Sequence, residues 1–156
     1  MRAVVQRVKD AAVSVNGQMY GRIASGLLVY LGVAQGDSEA DAGYIAEKIT
    51  GLRIFEDAQG KMNLSLKDFF LKNSGQSKAV LGVSQFTLLG DARKGRRPSY
   101  SEAALPETAK GLYEYCLEKI REQGIPCEAG VFQAHMEVTY TNDGPVTILL
   151  DSRKSF

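Results

Sequence analysis

"TNDGPVT", residues Thr141–Thr147, sits between two alternating apolar runs, "MEVTYTN" (136–142) and "PVTILLD" (145–151). Asp-Gly between such runs is a strong hairpin signal, so the stretch predicts two antiparallel strands joined at Asp143-Gly144. Pro145 complicates that reading. A strand needs ladder donors and proline has no N–H, so it belongs only at the first position of an edge strand.

The rest of the chain is mostly sheet at its start. "RAVVQRVKDAAVSV" (2–15) reaches Asn16-Gly17, a second hairpin signal, and "QMYGRIA" (18–24) resumes an extended pattern. "GLLVYLGVA" (26–34) and "AVLGVSQFTLL" (79–89) are short continuous apolar runs, as buried strands are. Asp37 and Ser38 can cap a helix carrying Tyr44, Ile45, Ile49 and Leu52 on one stripe. "LRIFED" (52–57) reads as a strand, and 58–78 as irregular apart from a short "LSLKDFFL" segment. Pro106 suits the first turn of a helix whose apolar face is Ala109, Leu112, Tyr113, Cys116, Leu117 and Ile120, ending before Gly124. "CEAGVF" (127–132) is a further strand. The expected class is mixed α/β (α+β), with largely antiparallel sheets covered by a few helices, in one domain spanning 1–156.

Nineteen basic and eighteen acidic side chains leave a net charge of +1, so any nucleic-acid contact must be local rather than a property of the overall field. The densest basic group is Arg93, Lys94, Arg96 and Arg97 in "GDARKGRRPS" (90–99). No stretch approaches the length of an apolar membrane span and no signal-peptide core opens the chain, so a cytoplasmic protein is expected. Cys116 and Cys127 lack C-x-x-C spacing, and His135 is the single histidine, so neither a metal site nor a cofactor is expected.

Conventional catalytic sets are missing. "GVSQF" (82–86) begins like a nucleophile elbow but has Phe86 where the second glycine must turn the backbone. "GDARKG" (90–95) has phosphate-loop spacing, yet Arg96 and Arg97 stand where Lys and Ser/Thr belong. Two alternatives remain open: a serine esterase using Ser84 with His135 as base, and a non-catalytic RNA-binding module using the basic loop. Neither accounts for "NDGPVT".

From "MRAVVQRV" through "SQFTL" (84–88) and "RRPSY" (96–100) to "NDGPVT", the sequence closely resembles the D-aminoacyl-tRNA deacylase family over essentially its whole length. That resemblance implies a homodimeric hydrolase that cleaves the ester between a D-amino acid and the terminal adenosine of tRNA, with related action on misattached glycine. It implies that Gly144 and Pro145 form a cis peptide inserted into the partner's pocket, where main-chain carbonyls reject L-amino acids, and that Arg7 locks this tip. It places Ser84, Gln85, Phe86 and Thr87 at the catalytic end, with N–H groups around Gln85 and Phe86 as oxyanion donors. Thr87 matches a threonine once suspected as nucleophile; with no base beside it in sequence, a 2′-hydroxyl of the tRNA is the better activator of water. Phe132 and Met136 match positions lining the adenosine pocket and the mouth of the amino-acid pocket. Arg93, Lys94, Arg96 and Arg97 would contact acceptor-stem phosphates. The resemblance departs at Gln133-Ala134-His135-Met136, where the family usually has Ala-Asp-Met.

Overall fold

The computed structural model describes residues 1–71 and 78–155, and the sheet in it is organised around one strand, β1 (Arg2–Val15). Asn16 (φ 51°) and Gly17 (φ 77°) take the left-handed conformations of a type I′ turn and return the chain as β2 (Gln18–Ile23), as the Asn-Gly signal predicts. β3 (Gly26–Gly32) pairs antiparallel with the first half of β1, and β2 with its second half. α1 (Glu39–Gly51) starts at Ser38, whose N–H donates to Asp41 Oδ2 at 2.9 Å. β4 (Phe55–Glu56) and β5 (Met62–Leu64) make a small separate ladder, followed by α2 (Leu66–Leu71). β6 (Ala79–Ser84) joins β3 in parallel. A 3-10 turn, Phe86–Leu89, follows it. α3 (Pro106–Arg121) leads to β7 (Cys127–Ala129), parallel to β6, and β8 (Glu137–Asp151) closes the order β2-β1-β3-β6-β7 by pairing with the other edge of β1. The result is the expected mixed α/β class. Among the described residues no helix is long and apolar enough to cross a membrane.

The hairpin expected at Asp143-Gly144 is not formed. Residues 137–142 and 147–151 do not pair with each other; both pair with β1, so the segment is one strand interrupted by a bulge. Gln6 faces Thr147 and Val8 faces Asn142, leaving Arg7 alone opposite Asp143–Val146. Pro145 therefore sits where no ladder donor is called for. "LRIFED" and "CEAGVF" also shorten, to two and three strand residues, and "LSLKDFFL" supplies α2. Part of the irregular stretch expected at 58–78, residues 72–77, lies outside the described residues.

Burial follows the strand periodicity with one change of phase. Ala3 and Val5 face the larger core, which α1 and α3 cover with Ile45, Ile49, Leu117 and Ile120. Val8, Ala11 and Val13 face a smaller cluster with Leu28, Leu81 and Val83. The crossover falls at the register shifts around Arg7 and Lys9. α3 approaches β6 closely: a Cβ on Gly82 would lie 2.5 Å from Leu117 Cδ2, and the buried Tyr113 hydroxyl donates to the Gly82 carbonyl at 2.8 Å.

Candidate active site

Past Ser84, the last residue of β6, the backbone turns beside a cavity of about 640 Å³. Ser84, Gln85 and Phe86 form one wall, Phe132, His135 and Met136 another, and Tyr100, Leu105 and Pro106 part of the rim. The Gln85 N–H is already engaged, donating to the Leu31 carbonyl at 2.7 Å as the ladder's last rung. That removes it from the expected oxyanion donors. Among the described residues no carbonyl takes the N–H groups of Phe86 and Thr87, the first two residues of the 3-10 turn. Arg2 steadies the turn from behind by donating to the Leu88 carbonyl at 2.9 Å.

Side-chain chemistry here is sparse. Ser84 and His135 both border the cavity, but no hydrogen bond joins them among the described residues, so no serine–histidine pair is assembled. Thr87 is exposed and outside the cavity lining; its hydroxyl accepts a bond from the Gln85 amide, with no base beside it. Phe86, 59% exposed, stacks edge-on with Tyr100 at 5.1 Å between centroids. Tyr100 ends the "RRPSY" stretch of the resemblance, which assigned it no role of its own. Phe132 leans on Tyr113 at 6.0 Å. Among the described residues no three His, Cys, Asp or Glu side chains gather as metal ligands would.

The basic loop is pinned at its base, where Asp91 and Ser99 exchange backbone bonds of 2.8 and 2.9 Å. Arg93 is committed to Asp91, with Nε and Nη2 donating to the two carboxylate oxygens at 2.8 and 2.7 Å; these bonds hold the Asp91 carboxyl below the ordinary range. Lys94, Arg96 and Arg97 point into solvent.

The Gly144-Pro145 bond is cis, both residues are exposed, and neither lines the cavity of their own chain. Arg7, 6% exposed, grips the base of this tip. Its Nη1 donates to the Ile54 carbonyl at 2.6 Å, its Nε donates to the Asp143 carbonyl at 3.3 Å, and the Asp143 carboxylate lies 3.1 Å from the same nitrogen as an ion pair. Lys78 lies nearby with its ammonium 4.9 Å from both the Phe55 and Phe69 rings. Burial lowers its pKa, the Arg7 charge adds to this, and Asp143 opposes both. Arg7 and the tip are thus brought together, whereas the tip and the Ser84–Phe86 wall are not.

Sequence and fold together match one family of hydrolases. A sequence model of the D-Tyr-tRNA(Tyr) deacylase family matches residues 4–151. The chain is 60% identical over 156 residues to a D-aminoacyl-tRNA deacylase of Koribacter versatilis and 59% identical over 157 residues to one of Thermosipho melanesiensis, in each case across 100% of both chains. It superimposes on a c-Myc DNA unwinding element binding protein with a TM-score of 0.85 at 39% identity, covering 97% of this chain and 98% of that one. A probable eukaryotic D-amino acid tRNA deacylase shares the fold at 17% identity, with a TM-score of 0.76 over 96% and 97% of the two chains. The chain belongs to the D-aminoacyl-tRNA deacylase family.

Proposed function

We propose that this chain acts as a single-domain cytoplasmic homodimer that hydrolyses the ester of D-aminoacyl-tRNA, releasing free D-amino acid and tRNA. Each subunit inserts its Gly144-Pro145 tip into the cavity of the other. The observation that carries this reading is the placement of the tip: rigidly held by Arg7, exposed, and outside its own cavity. The cavity mouth is correspondingly apolar, with Phe86, Tyr100 and Leu105 all exposed.

Handedness is then sensed by main chain. A D-amino acid turns its ammonium towards the tip carbonyls, while an L-amino acid turns its side chain into the same wall and is excluded. Glycine has no side chain to exclude, so glycyl-tRNA is also cleaved. Phe132 and Met136 line the cavity where the terminal adenosine and the amino acid enter. The free N–H groups of Phe86 and Thr87 receive the developing oxyanion, and each such donor is worth about 2.7–4 kcal/mol. With so few titratable groups available, the vicinal 2′-hydroxyl of the terminal ribose orients the attacking water. Lys94, Arg96 and Arg97 hold acceptor-stem phosphates, with Arg93 buttressed by Asp91 as the root of the loop.

The test is ester loss from matched D-Tyr-tRNA and L-Tyr-tRNA, together with sedimentation of the free protein. Fast cleavage of the D-ester alone by a dimer is expected. Equal turnover of both esters, or full activity in a monomer, would refute the proposal.

A further inference from the structure

Two amides at the foot of the Gly144-Pro145 bulge are only half satisfied. Asn142 Nδ2 donates to the Thr147 hydroxyl at 3.4 Å, and Gln6 Nε2 donates to the same oxygen at 3.3 Å. Gln6 Oε1 and Asn142 Oδ1 are shielded from solvent and have no partner among the described residues. Turning either amide over does not cure this, because a flip puts an NH2 where the carbonyl was and leaves that end unmatched instead. Apolar side chains at these two positions would leave nothing unmatched, so stability alone does not account for them.

Their placement offers another reason. Asn142 and Thr147 are the two feet of the bulge, since they are its last residues paired with β1 on either side of Arg7. Arg7 holds the bulge from one face of the sheet through Asp143. Gln6, the neighbouring residue of an extended strand, points to the opposite face. The Asn142–Thr147 bond closes the neck of the loop, and Gln6 ties that bond to β1. Above the neck there is little slack: a Cβ on Gly144 (φ 121°) would lie 2.8 Å from Val146 Cγ2 and 3.0 Å from Arg7 Nη2.

We infer that Gln6, Asn142 and Thr147 are positioning residues for the selection of handedness: they fix the spacing of the bulge's feet and so the direction of the tip carbonyls. This rests on the proposed role of the tip. Mirror-image substituents on one carbon differ in position by little more than a bond length, so small freedom at the feet admits an L side chain while the D-ester still binds.

The test uses Asn142→Leu and, independently, Gln6→Met, each of which removes an unmatched amide at similar volume. Single-turnover rates on D-Tyr-tRNA and L-Tyr-tRNA are measured beside thermal melting. The L-to-D rate ratio should rise by about fivefold to tenfold, the worth of one neutral hydrogen bond, while the melting midpoint holds or increases. A purely structural role gives the reverse, a lower midpoint with an unchanged ratio, and that result would overturn the inference. Gly144→Ala separates the two readings. If it too leaves the ratio unchanged, the proposed role of the tip is lost; if it changes the ratio while Asn142→Leu and Gln6→Met do not, only the positioning role is lost.

Discussion

Replacing Arg7 with methionine keeps an apolar stem of similar reach while deleting every bond from the guanidinium to the tip. The Ile54 carbonyl loses a charged donor at 2.6 Å, the Asp143 carbonyl loses the Nε–H at 3.3 Å, and the Asp143 carboxylate loses its ion-pair partner at 3.1 Å. A hydrogen bond to a charged group is worth about 1.5–3 kcal/mol. The Asp143 side chain is 34% exposed, so water recovers part of its share, and Lys9 at 3.8 Å remains as a weak counter-charge. A net loss of about 3 kcal/mol follows, mostly from the orphaned Ile54 carbonyl. For a domain of this size that lowers the melting midpoint by about 6–12 °C. The tip, no longer locked, should also lose selectivity, so that Arg7→Met cleaves L-Tyr-tRNA measurably while its D-ester rate falls. Calorimetry and paired deacylation assays on one preparation measure both effects. A midpoint within about 2 °C of the parent, less than one kcal/mol for this size, with selectivity intact, would refute the assignment of Arg7 as the lock.

Gly82→Ala should destabilise by about 1–3 kcal/mol through overpacking against Leu117, read as a lower denaturation midpoint with an unchanged slope. Thr87→Ala should keep substantial deacylase activity, while a 2′-deoxy terminal adenosine should lose it; the opposite pattern in the same assay would restore Thr87 as nucleophile. Replacing Lys94, Arg96 and Arg97 together by alanine should make tRNA affinity less salt-dependent, with the slope of log K against log salt shallower by about 2–3. Burial, and secondarily the neighbouring Cys127, pushes the Cys116 thiol up to about 12, so it should resist alkylation at pH 8 in the folded protein and react once unfolded. The sign is that of an acid raised by folding. Its contribution is complete below the unfolded thiol's ~8.5 and is lost as pH rises towards about 12, which a pH series of denaturant midpoints would detect.

Local conformation was legible in the sequence, and partnership was not. Asn16-Gly17 and the stripe from Ala109 to Ile120 announce a turn and a helix because both signals are local. Asp143-Gly144 sends the same local signal as Asn16-Gly17, yet the flanking segments find β1 instead of each other. Only a pairing across more than a hundred residues decides that, and no short window contains it. The resemblance carried the Arg7–tip contact, but the capture of the Gln85 N–H by Leu31 depends on the register of β6 against β3, which places Ser84 opposite Leu31. Tyr100 lies in a loop without periodicity, and Gln6 and Asn142 lie in alternating strands, where a pattern tells which face a side chain takes but not which hydrogen bonds it lacks.

β1 and β8 lie far apart in the sequence, and their union completes one side of the sheet and forms the protrusion it carries. Ribosomal synthesis delivers the first long before the second, so a nascent or clipped polypeptide lacks the protrusion and the completed sheet alike. If the protrusion is what spares correctly charged tRNA, this arrangement is a safeguard. A copy cut short before β8 loses the tip and the ladder that carries it together.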